Sequence, residues 1–267
     1  MTFRRFRILI LLGVFAAAWG LTWLEQSMVR AWRAPLNVEV VPINGDGSVQ
    51  AAEVIRGLKA EDFSDINAFV ERETARFGVK QSPAINLTLL PELRRMPPAP
   101  PHDGSVLKTI FWSLQLRWWV YQQSGQLLPQ LGTVKLFVLY HTPEDGVALA
   151  HSLGLQKGLI GVVHAFADPK QASQNNIVIA HEFLHTLGAT DKYDAEGNPL
   201  YPQGYADPEW PQSTPRHQAE IMAGRYLAAN GKKVMPPSLE RCIIGAQTAH
   251  EINLDEGFKR RFAATNY

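Results

Sequence analysis

The chain has a single cysteine, Cys242, in 267 residues. No intrachain disulfide can form, and a thiolate-rich structural zinc site is excluded, because such sites draw most of their four ligands from cysteine. An excess of charge is also missing. The 26 Lys and Arg face 25 Asp and Glu, a formal net charge of +1. A nucleic-acid surface needs a clustered excess of base, so that class of partner is excluded. No internal repeat is evident, and the richest proline stretch, 96–104, is too short for an interdomain linker. What is abundant is apolar: 46% of the residues are hydrophobic, enough for one sizeable core and a single main domain.

The N-terminus has its own character. Arg4, Arg5 and Arg7 precede an uncharged run over 8–24. Those roughly 17 residues make a helix about 26 Å long, at the short end of what spans a bilayer. The run also exceeds the apolar segment of a cleaved signal peptide, about 7–15 residues. Trp19, Trp23 and Trp32 lie toward its far end, where interfacial aromatics gather. The expectation is an uncleaved signal anchor. A signal peptide removed near the small residues Ala16, Ala17 and Ala18 is the alternative, and a buried core helix a further one. Either of the first two leaves the basic flank in the cytoplasm and carries the rest across, although Arg30 and Arg33 beyond the run weaken the charge asymmetry. The expected division is an anchor or signal with a short linker over 1–33 and an extracytoplasmic catalytic domain over 34–267, membrane-tethered or secreted.

Within that domain, 37–43 alternates and is β-rich, and 85–90 and 133–140 read as further strands. Helical stretches are expected at 49–58 and 61–77. A helix over 106–122 carries Ile110, Leu114, Trp118 and Tyr121 on one face, expected to pack in the core, with a surface patch near the membrane as the alternative. The glycine-bearing strand 158–167 reads as a sheet edge, and a final helix is expected over 237–251. Strands and helices intermingle, so the class is α/β or α+β, with helices packed on a sheet.

The segment with chemistry is His181-Glu182-Phe183-Leu184-His185. On a helix, positions i and i+4 share one face, so two imidazoles can bind one Zn²⁺ at about 2.0–2.1 Å each. Glu182 lies beside that face, where it can hold a water. Ile177, Ala180, Leu184 and Leu187 form the apolar stripe that leaves the His-Glu-His side free, and Asn175 and Asn176 are candidate caps. The plainer reading is a solvated helix face. Against it, Gly188 stands where a helix ends in a left-handed turn, and such a turn brings Asp191 back toward the same metal. Two histidines and a carboxylate leave a coordination position open for water, as catalytic zinc requires.

The full string, His181-Glu-Phe-Leu-His185-Thr-Leu-Gly188-Ala-Thr-Asp191, resembles the metzincin metallopeptidases. With aspartate as the third ligand it is most similar to their snapalysin-like branch. The resemblance covers 177–226. It implies a metzincin-like zincin fold, a twisted mixed sheet with packed helices and an active-site helix. Met222, in Glu220-Ile221-Met222-Ala223-Gly224, is similar to the methionine of the turn that lies beneath the zinc in that family. Tyr193, two residues past Asp191, matches a tyrosine of the snapalysin pattern, and its hydroxyl is a candidate for stabilising the oxyanion. Tyr226, near the methionine turn, is its rival. Asp194 is expected to be a solvated loop acid, the lesser candidate for third ligand. His164 and His217 are expected to be ordinary surface or core histidines, and His102, His141, His151 and His250 carry no motif.

The implied activity is zinc-dependent endopeptidase chemistry on a peptide or protein substrate, with His181, His185 and Asp191 on the metal and Glu182 as general base. The substrate is expected to lie extended along the edge strand, read as 158–167. Two alternatives remain: a zinc-holding binding protein without turnover, and a zinc amidase acting on cell-wall peptides.

Overall fold

In the computed structural model, the described residues are 3–101, 106–124, 132–143, 152–155, 159–207, 209, 218–228 and 230–254. They form a mixed α/β fold. Strands β1 (Leu36–Asn44), β2 (Ile85–Leu89), β3 (Thr133–His141), β4 (Leu153–Leu155) and β5 (Ile160–Phe166) make one sheet in the order β2-β1-β3-β5-β4. β2, β1, β3 and β5 run parallel, and β4 pairs antiparallel to β5, Leu153 opposite Val162.

The central strands are covered on both faces, so their sequences are nearly continuous apolar runs instead of alternating ones. Their period of two still sorts the side chains. Val38, Val40, Leu136, Val138 and Val163 point into a core shared with helices α3 (Ser64–Arg76) and α5 (Ala172–Leu187). Val41, Ile43, Phe137, Leu139 and Val162 point the other way, against helix α4 (Val106–Ser124). Helix α2 (Val49–Gly57) adds Ala51 and Ile55 to the first core, and Ser48 caps it by accepting from the Ala51 N–H at 3.0 Å.

Several expectations change. The strand read at 158–167 is not the edge. β5 is internal, and the three residues of β4 cover its free side. The face of α4 bearing Ile110, Leu114, Trp118 and Tyr121 is exposed, while Trp112, Leu116, Trp119 and Val120 face the sheet. The last helix, α6 (Ala246–Glu251), is far shorter than 237–251, because Leu239–Arg241 form a 3₁₀ turn and Cys242–Ile243 a short strand. Asn175 and Asn176 lie inside α5 instead of capping it. Asn175 brackets the Phe166 backbone, accepting from its N–H and donating to its C=O, both at 2.9 Å, and Asn176 donates to the Asp62 C=O at 2.7 Å.

The N-terminal apolar run falls within α1 (Phe3–Val29). Among the described residues no helix is long and apolar enough to cross a membrane. The end of α1 and the residues after it are docked on the rest of the protein. Val29 and Trp32 are buried, and the Trp32 indole donates to the Ile252 C=O at 2.8 Å. The Arg30 guanidinium donates to the Glu251 C=O and to Asn253 Oδ1. A cut between 33 and 34 therefore strips a buried tryptophan from the core, at a cost of about 3–5 kcal/mol if it resembles a Trp-to-Ala truncation.

Candidate metal centre

Helix α5 packs through Ile177, Ala180, Phe183, Leu184 and Leu187, all essentially inaccessible. It ends at Gly188, whose φ of +109° is the left-handed cap that glycine adopts at least cost. The Ala189 N–H closes the turn on the Leu184 C=O at 3.1 Å, and the chain reverses toward the helix it has left.

The same reversal fixes the imidazoles. His181 and His185 lie one turn apart, ring centroids 4.7 Å from each other. Nδ1 of His181 donates to the Ile221 C=O at 2.9 Å, and Nδ1 of His185 to the Ala189 C=O at 2.8 Å. Carbonyls only accept, so both Nδ1 atoms carry hydrogen, and Nε2 is the free coordinating atom of each ring. Both Nε2 atoms lie 3.1 Å from Asp191 Oδ1. Donors bound to one tetrahedral ion at 2.0–2.2 Å sit about 3.3 Å apart, so this converging trio fits zinc with little adjustment.

Glu182 is the second carboxylate near the two rings. The ligand atoms of His181, Glu182 and His185 lie within 4.8 Å of one another. Glu182 is 4% exposed, and its Oε2 is buried with no hydrogen-bond partner. Such an orphan acceptor is costly unless a proton, water or ion meets it. Burial pushes its pKa up, with His181 and His185 pulling the other way. The donor set is thus two imidazoles with Asp191 or Glu182, and the equal distances to Asp191 favour Asp191 as the third ligand.

Electrostatics follow the geometry. Burial alone would raise the Asp191 carboxyl, but hydrogen bonds from His181 and His185 hold it well below the usual carboxylate range. Burial would lower the His181 pKa, but the Asp191 hydrogen bond, the Glu182 charge and the Ile221 carbonyl together raise it above its ordinary value. Tyr193 lies beside this group, its ring 6.5 Å from that of His181. Burial and then the Asp191 charge push its hydroxyl up to about 12, so it remains a donor at neutral pH. Tyr226 lies on β7 (Tyr226–Leu227), paired with β8 (Lys233–Val234), and does not line the cleft. Asp194 closes its own turn, accepting from the Glu196 and Asn198 N–H groups at 3.0 and 2.8 Å. His217 lies outside the described residues.

Sequence reasoning missed four supports. Glu220, fully buried, accepts from the Ala223 N–H at 3.0 Å, the Gly245 N–H at 3.2 Å and the Thr248 hydroxyl at 2.7 Å. These bonds fix the turn that contains Met222, whose side chain is also fully buried. That turn supplies the Ile221 C=O to His181 and the Met222 C=O to the Lys192 N–H at 3.0 Å. Gly154 on β4 is the second, since a Cβ there would run into His185 Cβ and the Glu182 C=O. Glycine lets the edge strand lie directly on α5.

The third and fourth, Lys192 and Glu251, clamp the loop that carries Asp191 and Tyr193. Lys192 Nζ is buried and donates to Glu251 Oε2 at 2.8 Å and Oε1 at 2.9 Å, and to the Thr190 C=O at 2.7 Å. Glu251 also accepts from the Thr190 N–H at 2.8 Å. Burial would raise the Glu251 carboxyl, and Lys192 with Thr190 holds it lower than usual. Its stability contribution is therefore present above its unfolded pKa and lost as pH falls through the lowered native one. Glu251→Ala leaves a buried ammonium unpaired, so chemical denaturation should show a loss of about 3–5 kcal/mol. The double variant Lys192→Met/Glu251→Leu should recover much of it. A single variant as stable as the parent would deny the clamp its role.

A cleft of about 630 Å³ opens beside these residues, lined among others by Ser152, His164, Gln174, His181, Glu182, Tyr193 and Arg225. His164 is neither isolated nor simply a surface residue. Its Nδ1 lies 2.9 Å from His141 Nε2, and burial, then the neighbouring His141, pushes its pKa down to about 4. No spacing in the sequence links the two.

No protein-family model matches the chain, and no curated protein matches it by sequence. Among solved structures, it is similar to catalytically inactive OgpA from Akkermansia muciniphila, crystallised in complex with an O-glycopeptide (glycodrosocin) substrate. The two share 11% identity over 80% of this chain and 58% of that one, with a TM-score of 0.36. The chain thus spans rather more than half the length of that neighbour.

Proposed function

We propose that this chain is a zinc-dependent endopeptidase of metzincin type. The observation that carries the reading is the convergence of His181 Nε2, His185 Nε2 and Asp191 Oδ1 beside the partnerless buried oxygen of Glu182. Bound there, zinc would lower the pKa of a water toward about 7 and polarise the scissile carbonyl. Glu182 takes the proton of the attacking water and passes it to the leaving amine. Its raised pKa suits that exchange, because a base nearer neutrality both accepts and returns a proton. Tyr193 keeps its hydroxyl proton and donates a hydrogen bond to the carbonyl oxygen as charge develops there. β4 is the sheet edge nearest the site, and an extended peptide pairs along it through backbone groups.

The test is cleavage of a peptide library by the full chain before and after chelation. Cleavage that stops with the chelator and returns with zinc supports the reading. Bound zinc with no cleavage of any peptide would point to a binding protein, and cleavage confined to cell-wall peptides to an amidase.

We also propose, from the basic flank Arg4, Arg5 and Arg7 before the apolar run, that the flank stays in the cytoplasm and the catalytic domain lies outside it. A reporter fused after Tyr267 that works only when exported should be active. Activity of a cytoplasm-only reporter in its place would reverse the orientation.

A further inference from the structure

Helix α4 is apolar on both faces. A surface helix normally has one apolar stripe, turned to the core, yet this one has a second that the described residues leave exposed. Trp112, Leu116, Trp119 and Val120 pack on the sheet. Leu107, Ile110, Phe111, Leu114, Trp118 and Tyr121 form a stripe along the opposite side, each between 40% and 79% exposed. Their positions follow the helical repeat, so they make one continuous surface. A single exposed leucine needs no explanation, but six large side chains in a row mark an interaction face.

We propose that this stripe docks α4 on the surface of an anionic lipid bilayer, lying in the interface without crossing it. Charge and neighbourhood select that occupant over a protein. The 19 residues of α4 include no acid, and Lys108 beside the stripe is exposed, which suits anionic headgroups. Trp118 and Tyr121, with stacked rings 5.4 Å apart, are the residue types that settle at the headgroup level. Arg117 lies close enough to Glu25 of α1 for each to feel the other's charge. Leu21, Leu24 and Met28, within a turn of Glu25, are exposed as well. The apolar surface therefore continues from α4 onto the helix that the sequence marks as the membrane-directed one. A docked α4 would fix how the domain rests on the bilayer, and this inference does not depend on the metal centre.

Spin labels on the full chain test it. Cys242 is buried, its thiol pushed up to about 12 by burial, so introduced cysteines label selectively. Leu114→Cys and Leu107→Cys place labels on the stripe, and Val49→Cys places a control on the exposed start of α2. All three positions face solvent, so folding is little disturbed. The labelled proteins are floated with vesicles of equal parts phosphatidylethanolamine and phosphatidylglycerol. The expected result is a ratio of oxygen to nickel-chelate accessibility severalfold higher at 107 and 114 than at 49. Failure to float, or labels at 107 and 114 as open to the nickel chelate as the control, would overturn the proposal. Labels shielded from both reagents would also overturn it, by showing that a protein, or a second copy of this chain, covers the face.

Discussion

Replacing Glu182 with glutamine should leave zinc bound while peptide cleavage falls by about 10²-fold or more. The substitution keeps the size and hydrogen-bonding capacity of the side chain, so the helix and its packing are preserved. What it removes is a group that can take a proton from water. The two imidazoles and Asp191 are untouched, and the metal should stay. Kinetics on the full chain, with metal content measured on the same samples, give the answer. Cleavage at the parent rate would show that Glu182 is not the base. Loss of zinc together with activity would show that Glu182 is a ligand, the alternative its closeness to both rings allows.

Removing the Asp191 carboxylate should sharply weaken zinc binding and abolish cleavage. Even partners outside the coordination shell typically contribute about 10–100-fold to metal affinity, so Asp191→Ala should lose at least that much. Asp191→His should restore part of the binding, because imidazole and carboxylate donors sit at similar distances of about 2.0–2.2 Å. The larger ring must fit a loop clamped by Lys192 and Glu251, so activity should return less fully than affinity. Asp194→Ala should change neither, since that carboxylate is spent on its own turn. Full zinc affinity in Asp191→Ala would remove Asp191 from the site.

These two experiments rest on features that were legible in the chain before any coordinates. The helix bearing His181 and His185, the glycine that ends it and the carboxylate three residues later are local. Their spacing alone brings them together, and Gly188 takes the left-handed conformation that the spacing requires. The central strands were also readable, because a strand covered on both faces leaves a plain apolar run.

What escaped the sequence depends on contacts between distant segments. β4 is three residues long, below the length at which alternation can be recognised, so β5 looked like the edge. Helix α4 has two opposite apolar faces, and periodicity cannot say which of them meets the sheet. Lys192 and Glu251 meet only once α6 packs under the Asp191 loop. Asn175 reads as a cap because asparagine often is one, whereas here its amide finds the Phe166 backbone.

X-ray absorption on the zinc-loaded full chain tests the central claim most directly. The account predicts about one zinc per chain, held by two imidazole nitrogens and oxygen ligands at about 2.0–2.2 Å, one of them exchangeable with solvent. Purified protein that takes up no zinc, or zinc whose shell lacks the two imidazoles or is the same in Asp191→Ala as in the parent, would contradict it.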